Sequence, residues 1–140
     1  MSESSLVDYM VVGLKGHWRW AVKHVDPYTP GVPDISAWIP GAGNVWIECK
    51  ALDAWPKRAA SVVRFQRFTD EQRLFLLQRH GFLFVRVGRE YLLFGWKEAF
   101  ESCGKMAQLS LRQAALEHWS GAVNWLEFLE VIVNETPNKE

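Results

Sequence analysis

Residues 33–51 leave this chain little conformational choice. Ile35, Ala37 and Ile39 alternate with Asp34, Ser36 and Trp38, and Val45, Ile47 and Cys49 alternate with Trp46, Glu48 and Lys50. Between the two runs lies Pro40-Gly41-Ala42-Gly43. Period-two patterning on both sides of a Pro/Gly turn specifies a β-hairpin, and Pro33 at the first strand position costs no central ladder bond. Strand side chains alternate, so Glu48 and Lys50 project together, away from the Ile47/Cys49 side. Two carboxylates brought close repel unless a cation lies between them, and hard divalent metals prefer oxygen ligands. Asp34, Glu48 and Lys50 therefore form a compact candidate metal site with a proton-handling group beside it. The competing reading is a solvated strand face carrying an ion pair worth under about 1 kcal/mol.

Register tests the idea. Asp34 shares a face with Glu48 and Lys50 only through an odd-length loop or a bulge. A five-residue loop, 40–44, would set Asp34 opposite Lys50 and Ser36 opposite Glu48, whereas a two- or four-residue loop would set Asp34 opposite Cys49.

Around the hairpin, Leu6, Met10 and Leu14 recur at a helical period ended by Gly16, and 17–25 reads as a strand. Residues 26–31, rich in Pro and Gly, read as a rigid loop. Residues 53–68 read as irregular and basic, with Lys57, Arg58, Arg64 and Arg67 placed to contact phosphate or simply to keep a loop soluble. Thr69 with Gln72 predicts a capping box and a helix to about His80, stopped by Gly81. Strands 82–87 and 90–96 flank Gly88-Arg89. Residues 97–134 have a helical pattern, with Gly104 and Gly121 as breaks. The order α-β-β-β-α-β-β-α predicts an α/β (α+β) core with a helical C-terminal extension. The expected organisation is one domain: core 1–96, extension 97–134 packed on the core or forming a homodimer interface, and a disordered tail 135–140.

The 140 residues and 49% hydrophobic composition suit a single folded domain, not a disordered chain. No apolar run is long enough to span a bilayer, and the start lacks a basic segment followed by an apolar one, as a secretory signal would have. Cys49 and Cys103 make neither a disulfide framework nor a zinc spacing, so a reducing cytoplasm is expected. Net charge is zero, but residues 1–89 carry 12 Lys/Arg against 8 Asp/Glu and residues 90–140 carry 4 against 8. A basic first part is compatible with a phosphate backbone as partner. His17 and His24 have no ligand-like spacing and read as structural. Trp38 and Trp46 fit either stacking beside the charged face or packing.

Gly31-Val32-Pro33-Asp34, thirteen residues, then Glu48-Cys49-Lys50 resembles the PD-(D/E)xK signature of restriction-endonuclease-like nucleases. Glu3-Ser4 opening a helix, the Trp-Ile-Glu-Cys-Lys strand and Phe68-Thr69-Asp70-Glu71-Gln72 before a helix are together similar to the VRR-NUC branch, often found in phages. The similarity covers roughly residues 3–94. It implies a restriction-endonuclease-like core and a Mg²⁺- or Mn²⁺-dependent deoxyribonuclease. Asp34, Glu48 and the Cys49 carbonyl would hold the metal, and Lys50 would orient the attacking water. Glu3 would be the first-helix acid, with Asp8 as fallback, and Gln72 a supporting polar group. A structure-selective endonuclease acting as a homodimer on branched DNA, such as a Holliday-junction resolvase, is the expected subtype. The alternatives are a nicking or end-processing nuclease and a non-catalytic nucleic-acid-binding module.

Overall fold

A computed structural model describes residues 1–17, 20–24 and 31–137. Six strands form one mixed sheet in sequential order: β1 (Trp20–Lys23), β2 (Ile35–Ile39), β3 (Gly43–Leu52), β4 (Phe82–Val87), β5 (Glu90–Phe94) and β6 (Glu117–Ser120). Every neighbouring pair is antiparallel except β3–β4. A parallel pair needs a crossover, and here it holds helix α2 (Asp70–Arg79). Four more helices are described: α1 (Glu3–Gly13), α3 (Trp96–Glu101), α4 (Gln108–Ala114) and α5 (Trp125–Glu135). The fold is α+β.

Strand alternation divides the core into two apolar clusters. Ile35, Ile47, Cys49, Phe82, Phe84, Tyr91 and Leu93 face α1 and α5, which contribute Leu6, Met10, Phe128 and Ile132. Leu83, Val85, Val87, Leu92 and Phe94 join the second cluster, with Leu76 of α2 and Leu111 of α4. Because β4 and β5 are covered on both sides, they read as continuous apolar runs without alternation. Each fully buried Leu or Phe supplies about 1.5–3 kcal/mol.

The hairpin pairs in register as required, with a tighter turn than expected. Ile39 pairs with Gly43, leaving a three-residue loop, 40–42, in place of the five-residue loop 40–44. Left-handed Gly41 and Gly43 (φ 86° and 82°) make this closure possible, and Ala42 N–H donates to the Ile39 carbonyl. The loop is odd, so Asp34 lies level with Glu48; the expected Asp34–Lys50 pairing is corrected by this shift.

Further expectations are corrected or refined. The segment 97–134 is not wholly helical, since 117–120 forms β6 and extends the sheet beyond β5. The segment 53–68 is irregular, but Val63, Phe65 and Phe68 are core residues. Helix α2 ends with His80, not Gly81, in the left-handed region (φ 52°). Gly81 is required for another reason: a Cβ there would lie 2.7 Å from Leu76 Cδ2 and 3.0 Å from the Trp46 carbonyl oxygen. His17 lies in the turn after α1, so it does not share a strand with His24. Helix α5 continues to Glu135, and residues 138–140 of the expected disordered tail lie outside the described residues. So do residues 26–30 of the expected rigid loop.

Among the described residues no helix is long and apolar enough to cross a membrane. Both cysteines are buried and unpaired.

Candidate active site

Asp34 and Glu48 are hooked into each other's backbone. The Asp34 N–H donates to Glu48 Oε1 (3.1 Å), and the Cys49 N–H donates to Asp34 Oδ2 (2.8 Å). Both carboxyl groups are thus oriented by main-chain donors of the facing strand, an arrangement the hairpin register produces directly. His24 N–H donates to the Asp34 carbonyl and ties β1 to the same point.

Glu48 and Lys50 are each only 2% exposed, which rules out the solvated-face reading. Their side of β3 is covered by α2 and by the segment ending at Phe68. Lys50 Nζ lies 3.2 Å from Glu48 Oε2 and 3.7 Å from Glu3 Oε1, and it donates to the Arg67 carbonyl at 3.0 Å. The Phe68 ring centroid is 5.9 Å from it.

Gln72 performs both roles that its position allowed. Its Oε1 accepts from the Thr69 N–H while the Thr69 hydroxyl accepts from the Gln72 N–H, completing the capping box. Its Nε2 donates to Glu48 Oε2 at 3.2 Å. One side chain joins the start of α2 to the buried acid.

Burial pushes Glu48 up to about 8, with the neighbouring Asp34 charge adding to the effect and Lys50 opposing it. Burial also raises Asp34, partly offset by the Cys49 N–H and by Lys50. Glu3 is raised by burial against the pull of Lys50. The Cys49 thiol, sealed on the opposite side of β3, is pushed far up by burial and is not a nucleophile. The Lys50 charge opposes the upward push on all three acids, and Arg67 adds to it at Glu3.

A cavity of about 650 Å³ opens beside this cluster, walled by Glu3, Asp8, Lys23, Asp34 and Arg67 among others. Asp8 is ion-paired with Lys23 across the wall and does not reach Glu48 or Lys50, whereas Glu3 does reach Lys50. Of the four basic loop residues only Arg67 lines this cavity; Lys57, Arg58 and Arg64 are exposed elsewhere along the loop. Trp46 is half-buried, edge-on to Phe75 of α2 and tilted against His24, so it packs beneath the site. Trp38 is 41% exposed.

Sequence reasoning missed Lys23, His24 and Gln66, all in the cavity wall. His24 also shares a hydrogen bond with Ser36 Oγ (2.8 Å). The signal for Lys23 and His24 is the β1–β2 register, which the residues between the two strands conceal; Gln66 lies in the irregular segment before α2, where no period marks it.

Among the described residues no group of three or more His, Cys, Asp or Glu side chains is arranged to hold a metal ion. The donors that do converge are two carboxylates. That set is poor for zinc, which takes nitrogen and sulfur ligands, and suits magnesium, which keeps several waters and uses one or two carboxylates. In comparisons with known proteins the chain matches no family model and no curated sequence.

Proposed function

We propose that this protein is a divalent-metal-dependent nuclease of the restriction-endonuclease-like class, hydrolysing DNA phosphodiester bonds. The observation that carries the reading is the Asp34–Glu48–Lys50 cluster, Glu48 and Lys50 buried and Asp34 half-buried in the wall of a cavity, with each carboxylate oriented by the other strand's backbone. Closing Glu48 and Lys50 away from water is costly, and a fold has little reason to retain them for stability. A binding-only module would need no such cluster.

In this reading Asp34 and Glu48 hold Mg²⁺ or Mn²⁺, with the Cys49 carbonyl as the further ligand implied by the resemblance. A bound divalent cation makes a coordinated water more acidic and offsets charge on a phosphoryl oxygen. Lys50 orients the attacking water and meets the charge that develops on the phosphate. Gln72 and the Arg67 carbonyl keep Glu48 and Lys50 in place. Glu3 is a peripheral acid of the site, and Lys57, Arg58 and Arg64 meet the flanking backbone. Selectivity for branched DNA, with two copies presenting two sites, is the subtype this reading favours, by analogy with other small members of the class.

The test incubates the protein with linear, nicked and four-way-junction DNA, with Mg²⁺ or Mn²⁺ and with chelator. Cleavage is expected only with metal, and Asp34→Ala and Lys50→Ala should each reduce it by about 100-fold or more. Metal-dependent cutting that survives unchanged in both variants rejects the assignment. Equal cutting of all three substrates rejects only the junction preference.

A further inference from the structure

Arg67 occupies a left-handed backbone conformation, φ 60°, that is strained for any residue with a Cβ. The strain is imposed by its surroundings. Phe65 and Phe68, on either side, are both buried in the second apolar cluster, and the Phe68 N–H donates back to the Phe65 carbonyl. The Arg73 guanidinium lies over the Phe68 ring at 4.3 Å and fixes it from the far side. Arg67 therefore stands at the tip of a tight turn whose two ends are anchored in the core.

The two ends of this residue face different partners. Its carbonyl accepts from Lys50 Nζ at 3.0 Å. Its exposed side chain lines the cavity that also contains Asp34 and Glu3. Among the described residues it forms no ion pair. A guanidinium borne on a rigid turn above an acidic cluster presents a planar fork of donors that suits a phosphodiester.

We infer that Arg67 grips the nucleic-acid phosphate next to the scissile bond and, through its own carbonyl, holds Lys50 Nζ in position. One residue then couples substrate binding to the placement of the catalytic lysine. The inference rests on the nuclease reading above and adds a substrate contact and a positioning role to it.

Arg67→Gly separates the two roles, since glycine adopts a positive φ freely and keeps the carbonyl. Arg67→Val also removes the guanidinium but, being β-branched, resists the positive φ and so displaces the carbonyl. Binding of a fluorescent DNA duplex is measured in Ca²⁺ over a range of salt concentrations, and cleavage kinetics in Mg²⁺. For Arg67→Gly, affinity should fall about tenfold, with log K against log salt shallower by about 0.9, the value for one lost phosphate contact. KM should rise by a similar factor while kcat changes less than about threefold. Arg67→Val should show the same binding loss together with a kcat at least about fivefold lower, as the turn shifts and the Lys50 contact loosens. Wild-type affinity and salt slope in Arg67→Gly would overturn the phosphate grip. Equal kcat in the glycine and valine variants would overturn the positioning role. A wild-type protein that neither binds nor cuts DNA would overturn the nuclease reading as well, and so is distinguishable from either.

Discussion

Replacing Glu48 by glutamine removes a single buried acid and keeps its shape. In the native chain the carboxyl holds its proton up to about 8, whereas an unfolded glutamate loses it near 4.5. Between those values the native state binds more protons than the unfolded one, so stability falls as pH rises. The favourable contribution is complete below 4.5 and is gone once pH passes about 8. Each full unit in that window is worth ~1.4 kcal/mol, so between pH 5 and 8, where the last unit is only partly effective, the metal-free protein should lose roughly 3–4 kcal/mol through this residue alone. Glu48→Gln has no proton to lose. Its amide oxygen can still accept from the Asp34 N–H, but its NH₂ group then meets the donors Gln72 Nε2 and Lys50 Nζ. That mismatch costs about 1–3 kcal/mol at every pH, so the slope and not the offset is diagnostic. Urea denaturation in chelator at pH 5, 6, 7 and 8 measures both. The variant should start below or near wild type at pH 5 and gain on it by about 3–4 kcal/mol by pH 8. Curves that run parallel across this range would refute the claim that Glu48 is a raised, buried acid.

Gly13→Ala should destabilise, although the same change in an exposed helix gains up to about 1 kcal/mol. A Cβ at this position would lie 2.1 Å from the Trp125 indole, so overpacking of roughly 1–3 kcal/mol should lower Tm; a rise in Tm would contradict the α1–α5 contact. At the other end of the sheet, partial burial would raise Glu90, but hydrogen bonds from Arg112, Trp55 and His118 hold it down to about 2. Its stabilising contribution is present above 4.5 and lost as pH falls toward 2, so wild type should lose about 1–2 kcal/mol more than Glu90→Gln over that interval, after allowance for solvent screening. Acid denaturation followed by circular dichroism tests this, and coincident curves would exclude it.

What could be read from the sequence was local. Alternation specified the β2–β3 hairpin, and parity specified an odd turn, because a one-residue slip would have turned Asp34 away from Glu48. Loop length was less legible: nothing in Pro-Gly-Ala-Gly says that Gly43 pairs with Ile39. Thr69 and Gln72 declared the start of α2, since a capping box is a contact within four residues. The misses all depend on distant partners. Glu117-His118-Trp119-Ser120 is too short to carry a period, and it becomes a strand because the open edge of β5 is there to receive it. Val63, Phe65 and Phe68 sit in a stretch without regular structure and are buried by the far side of the sheet. The same segment turns the Glu48/Lys50 side of β3 from a wet surface into an enclosed one.

The sequential strand order has a consequence for how the chain must assemble. Each strand from β1 to β6 joins the one made just before it, so the sheet grows outward in the direction of synthesis. Until residue 120 has been made, β5 presents unpaired backbone groups along the run Tyr91-Leu92-Leu93-Phe94, a template on which another nascent copy could pair. Helix α5, carrying Phe128 and Ile132, arrives later still to close the first apolar cluster. A chain interrupted before β6 would hold every residue of the Asp34–Glu48–Lys50 cluster and yet be prone to aggregate.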